Sequence, residues 1–116
     1  MPKPDPSSLL PLTPAVLHIL LSLSDGPLHG YAIAQQVEAL TRDHVRMGPG
    51  TLYGSLQRMI DDALVEPAAG KPAEQRRRNY KLTALGRRVL ALELQRLDAV
   101  VTLARARQLL GRPGVA

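Results

Sequence analysis

The chain has no cysteine, no tryptophan and no phenylalanine, and carries only three tyrosines. Without cysteine there is no disulfide framework, no thiolate zinc or iron–sulfur site and no thiol nucleophile, and the composition fits a reducing compartment. Without phenylalanine or tryptophan the expected core is one of aliphatic side chains. At 116 residues with 45% apolar side chains, the chain makes one domain with little burial to spare, so association would relieve it. Long hydrophobic runs are absent too. The longest, Ala15 to Leu23, is interrupted by His18 and Ser22 and falls well short of the roughly 20 residues a membrane span needs. Residues 1–8 are proline-rich, with Lys3 offset by Asp5, and lack the basic start and apolar centre of a secretion signal. The expectation is a cytoplasmic protein with no membrane partner.

Chemistry-bearing constellations are equally scarce. The histidines, His18, His29 and His44, are 11 and 15 residues apart with no cysteine beside them, which is not a metal-binding spacing. There is no glycine-rich phosphate loop and no serine elbow, and the Asp61-Asp62 pair reads as the polar end of a helix. No catalytic residue, metal or cofactor is expected, and the chain is not expected to be an enzyme.

What is present is positive charge, unevenly placed. Residues 1–64 hold four basic and six acidic side chains, net −2, whereas residues 65–116 hold eleven and four, net +7. Lys71, Arg76, Arg77, Arg78, Lys81, Arg87 and Arg88 fall within eighteen positions and are opposed only by Glu74. A cluster of this kind suits either a phosphate-bearing partner or a solvated face.

Periodicity supplies the framework. Thr13-Pro14 starts a helix, the hydroxyl as cap and the proline as first helical residue, that runs to about Leu23 and ends in Ser24-Asp25-Gly26-Pro27. It is apolar nearly all round, so it is buried on more than one face, in the core or against a partner. A second helix spans about Gly30 to Leu40 with Ile33, Val37 and Leu40 at helical spacing. The third starts near Pro49 or Gly50 and carries Leu52, Leu56, Met59, Ile60 and Ala63 on one stripe. Thr51, Ser55, Arg58 and Asp62 are left largely exposed, with Gln57 nearer the boundary. Leu64 to Pro67 and Arg77 to Leu82 read as two short strands, with Tyr80 and Leu82 on one face and Asn79 and Lys81 on the other. Thr83 caps a last helix predicted to reach about Leu110. On it Leu85, Val89, Leu92 and Leu103 form one apolar set, and Leu90, Leu94, Leu97, Val101 and Ala104 form another, stepping 4, 3, 4, 3 like a short coiled-coil seam. Two apolar stripes on one projecting helix imply a homodimer.

This order is mainly α with a small two-stranded β wing: a winged helix-turn-helix with a long C-terminal dimerisation helix. Its predicted parts are a flexible N-terminal arm over 1–11, the winged domain over 12–82, the dimerisation helix over 83–110 and a tail over 111–116. A helix about 10–12 Å across fits the major groove and a basic ribbon reaches the flanking phosphates, so double-stranded DNA is the expected partner. An alternative is a winged-helix module that binds another protein and touches DNA only through bulk charge.

The residues also resemble a known family. Pro27-Leu28-His29-Gly30-Tyr31, Gly50-Thr51-Leu52-Tyr53 opening the third helix, and Arg78-Asn79-Tyr80-Lys81-Leu82-Thr83 followed by Gly86 look like the PadR family of transcriptional regulators, over about residues 12–110. The resemblance implies a dimeric winged-helix repressor of the compact subgroup. It would bind a palindromic operator near its own or an adjacent promoter and be released by a small-molecule effector. Two departures stand out. Gly54 replaces the proline or other small residue usual there and costs roughly 1 kcal/mol relative to alanine in a helix, which close approach to a phosphate or another helix would explain. Some small members sandwich flat aromatic drugs between tryptophans of the last helix, a mode this tryptophan-free chain cannot use.

The DNA-binding candidates are Thr51, Tyr53, Ser55 and Arg58 on the third helix, Lys71, Arg76, Arg77 and Arg78 on the wing, and Tyr31 at the start of the second helix beside His29. Arg58 is the first candidate to read a base, through paired hydrogen bonds to guanine. Tyr31 and His29 sit where helix amides favour an anion, although a core position suits Tyr31 equally. The dimer-interface candidates are Leu90, Leu94, Leu97, Val101 and Ala104, with Leu17 and Leu20 of the first helix.

Overall fold

Hydroxyl and imidazole caps set the starts of three helices. In a computed structural model, which describes residues 5–68 and 78–111, Thr13 Oγ1 accepts the Val16 amide at 3.2 Å and begins α1 (Pro14–Ser22). His29 ends the two-residue strand β1 (Leu28–His29), and its Nδ1 accepts the Ala32 amide at 3.2 Å to begin α2 (Gly30–Leu40). Helix α3 (Pro49–Asp61) begins on Gly48 with no side-chain cap. Strands β2 (Val65–Ala68) and β3 (Asn79–Leu82) lead to Thr83, whose Oγ1 accepts the Gly86 amide at 2.9 Å and starts α4 (Ala84–Ala106).

Helix ends follow a rule that glycine counting misses. In α2, α3 and α4 the residue after the C-cap adopts a left-handed conformation, with φ of 50° at Arg42 and 61° at both Ala63 and Gln108. Two amides then fold back on the last turn: Asp43 to Glu38 and Arg42 to Ala39 in α2, Leu64 to Met59 and Ala63 to Ile60 in α3, and Leu109 to Ala104 and Gln108 to Arg105 in α4. This is the Schellman closure, which usually employs glycine. It explains why α4 stops at Ala106 instead of running to about Leu110. It also puts Ala63 beyond α3, exposed, rather than on the buried stripe. Glycine relieves left-handed strain at such a site. Ala63→Gly is therefore expected to stabilise the fold by about 0.5–1 kcal/mol, read as a higher urea midpoint with unchanged slope.

The sheet has three antiparallel strands in the order β1-β3-β2, not the two expected. Leu28 and His29 pair with Tyr80 and Asn79, a segment too short to show alternation. Across β2 and β3, Val65 faces Leu82 and Glu66 faces Lys81, whose ammonium lies 3.4 Å from the Glu66 carboxylate.

The core joins Ile19, Leu20 and Leu23 from α1 and its end, Ile33 and Val37 from α2, Leu52, Leu56 and Met59 from α3, Leu64 and Val65, Tyr80 and Leu82 from β3, and Val89 and Leu90 from α4. Helix α4 approaches the β2 edge so closely that a Cβ on Gly86 would lie 2.1 Å from the Leu64 carbonyl oxygen. Residues 6–9, assigned from the sequence to a free arm, wind into a 3-10 turn that packs against α4. The Leu12 amide then donates to Glu93 Oε2 at 2.6 Å. Glu93 is 1% exposed, and its other oxygen accepts Arg96 Nε at 2.5 Å. The Arg96 guanidinium, then the Leu12 amide, hold its carboxyl below the ordinary glutamate range, against a contrary push from burial.

Candidate nucleic-acid interface

Helix α3 buries Leu52, Leu56 and Met59 and turns its opposite face outward. On that face Thr51, Tyr53, Gly54, Gln57 and Arg58 are exposed and Ser55 is half-buried. The centre of the outward ridge is formed by Gly50, Gly54, Gln57 and Asp61, since residues three and four apart share a helix face. Thr51 and Arg58 flank one side, and Tyr53 the other. Gln57, placed near the boundary from the sequence, is fully on this face and donates to Asp61 Oδ1 at 3.1 Å. Arg58 borders a small cavity of about 140 Å³ between α3, α1 and the docked arm, shared with Leu9, Leu12 and Met59.

Tyrosines frame the other flank. Tyr53 is 49% exposed and lies across the start of α2, where its hydroxyl would be 2.7 Å from a Cβ on Gly30. Glycine at position 30 thus leaves room for the Tyr53 ring to lie over the start of α2. Tyr31 is 65% exposed, which settles its choice between core and surface. Its ring runs parallel to that of His29, with centroids 6.5 Å apart. Between α2 and α3 these tyrosines border a groove of about 360 Å³ with Gln35, Glu38, Met47 and Pro49. Exposed hydroxyls, an exposed guanidinium and the uncapped amino end of α3 on one side of the molecule are groups that donate hydrogen bonds to phosphates and base edges.

Of the wing residues, Arg78 is described and exposed, while Lys71, Arg76 and Arg77 lie outside the described residues. Lys81 is exposed on the same ribbon and paired with Glu66. The dimer candidates divide. Leu20, 0% exposed, and Leu90 are buried in the chain's own core and are closed to any partner. Helical spacing alone does not distinguish burial in the chain's own core from burial against a partner. Leu17 packs partly against the same core, Leu94 is exposed, and Leu97, Val101 and Ala104 are half-buried. Val100 and Leu103, outside the expected seam, are more exposed still.

Residues 17–92 match the transcriptional regulator PadR-like family. The chain belongs to it. This PadR-like chain is 34% identical over 95 residues to a transcriptional regulator of Mycobacterium tuberculosis, covering 82% of this chain and 81% of that one. It is 43% identical over 79 residues, 68% of its length, to an uncharacterised 37.1 kDa protein in transposon Tn4556 of Streptomyces fradiae, of which it spans only 21%. In fold it resembles a PadR family transcription regulator of Clostridium difficile, with a TM-score of 0.67 at 22% identity over 81% of this chain and 97% of that one. RosR of H. salinarum is similar at a TM-score of 0.63 and 22% identity, over 85% and 98%. As a PadR-like protein the chain is a DNA-binding transcriptional regulator and not an enzyme. No helix among the described residues is long and apolar enough to cross a membrane.

Two structural roles carry little signal in the sequence. His29 joins a strand, a helix cap and the Tyr31 ring, and no spacing announces this. Glu93 was legible in principle, since it stands four residues from both Val89 and Leu97 and so puts an acid on an apolar stripe.

Proposed function

We propose that the chain is a homodimeric repressor of its own or an adjacent gene. Two copies of α3 enter successive major grooves of a palindromic operator about 34 Å apart. Thr51, Tyr53, Ser55 and Arg58 contact DNA in the groove and at its edge, Arg58 reading guanine. Tyr31 and the wing residues Lys71, Arg76, Arg77 and Arg78 neutralise phosphates, and a small-molecule effector releases the complex. The observation that carries the dimer is the exposed apolar side of α4, where Leu94, Val100 and Leu103 face solvent beside half-buried Leu97 and Val101. The two-fold symmetry this gives is what an inverted repeat requires.

A footprint on DNA upstream of the gene, with excess nonspecific competitor, is expected to protect a discrete inverted repeat. Absence of any preference over a scrambled duplex would favour the protein-binding module instead. Leu97→Asp, which sets a charge in the seam, is expected to weaken dimerisation by on the order of 3 kcal/mol. It should sediment as a monomer where the parent is a dimer, and a variant that stays dimeric would remove Leu97 from the interface.

A further inference from the structure

Glycine inside a helix lowers stability relative to alanine, so its presence calls for a reason. Three reasons are physical: a left-handed backbone, a neighbour that leaves no room for a Cβ, or an external surface that comes equally near. Gly26 has the first, with φ of 147°. Gly86 has the second, against the Leu64 carbonyl, and Gly30 makes room for the movable ring of Tyr53. Gly54 has neither. It lies within α3 at an ordinary helical φ, and a Cβ there would meet nothing within 4 Å. Its position selects the surface. Phosphates line the walls of the major groove and meet the flanks of an inserted helix, whereas the centre of the outward ridge meets the base edges of the floor. Gly54 is on that centre, between the exposed side chains of Thr51 and Arg58 and those of Tyr53 and Gln57.

We propose that Gly54 is the point where the backbone of α3 rests on a base edge, and that the group it admits is the 5-methyl of a thymine. The inference rests on reading α3 as the groove helix. A residue without a side chain offers the groove only Cα hydrogens and no side-chain hydrogen bond, so an apolar projection is the fitting partner. The thymine methyl is the apolar group that base pairs present there. A methyl added to the protein at this place takes the room of the methyl on the DNA.

The test uses the full-length protein and the duplex it enriches from a random pool, with Gly54→Ala, Arg58→Ala and operators carrying single thymine-to-uracil replacements. Gly54→Ala is expected to raise Tm by about 4 °C while weakening the enriched duplex about tenfold. Uracil at one thymine per half-site is expected to restore most of that loss. A stabilised Gly54→Ala that binds as the parent does, while Arg58→Ala weakens binding, overturns the proposal and leaves α3 as the reader. Weakening that no uracil relieves overturns the thymine assignment. If neither variant changes affinity, or no sequence is enriched, the groove reading fails and the proposal with it.

Discussion

Gly86→Ala is expected to destabilise the fold by about 3 kcal/mol or more, enough to leave so small a domain largely unfolded in mild urea. The added Cβ falls 2.1 Å from the Leu64 carbonyl oxygen, which is backbone and not the movable end of a side chain. That oxygen is held in place by the Thr83 amide, which donates to it at 3.1 Å, with the Thr83 hydroxyl also within 3.1 Å. The same hydroxyl lies 2.6 Å from the Ala63 carbonyl. Relief therefore requires α4 to retreat, loosening its cap and the Val65–Leu82 pairing beside it. Urea unfolding of the variant against the parent checks this. Gly50→Ala is the control, since nothing lies within 4 Å of that position and its stability should not fall. Equal midpoints for parent and Gly86→Ala would show that the helix can move without penalty.

Glu93→Leu is expected to cost about 2 kcal/mol, because the Leu12 amide loses its acceptor while Arg96, already partly exposed, returns to water. The loss should be local, with faster proteolysis of the segment before α1 than of the rest. Acid should do the same in wild type. Glu93 is held below the ordinary 4.5 in the folded chain, so the unfolded chain takes up its proton first as pH drops. Its stabilising contribution is complete above about 4.5 and disappears as pH falls through the depressed value. Asp5, lowered chiefly by its Ser7 hydrogen bonds, acts in the same direction. Glu93→Gln keeps an acceptor oxygen but no titration, and should flatten the acid limb of stability against pH. An acid limb identical to the parent's would assign the effect to other carboxylates.

The helices were legible because their apolar spacing and hydroxyl caps are local. Thr13 and Thr83 cap the helices expected, and α2 has the bounds its pattern gives. What stayed hidden depends on tertiary neighbours. The left-handed residues that close three helices are arginine, alanine and glutamine, none of which signals a stop in sequence. Strand β1 exists only because β3 lies alongside. The apolar stripes of α4 could not reveal that Val89 and Leu90 turn to the chain's own core. At the interface, exposure of Thr51 and Arg58 followed from helical spacing, but Tyr31's did not, because one tyrosine at a helix start serves core and surface equally well.

The pairing of β1 with β3 has a mechanical meaning. His29 is paired with Asn79, which also faces Ala68 at the wing-loop end of the β2–β3 ribbon, while its ring closes the first turn of α2. A tug on the ribbon is thus transmitted through the two residues of β1 to the helix that carries Tyr31. The ribbon and the front of α2 behave as a single lever, and their amides should exchange with solvent as one cooperative opening unit rather than two.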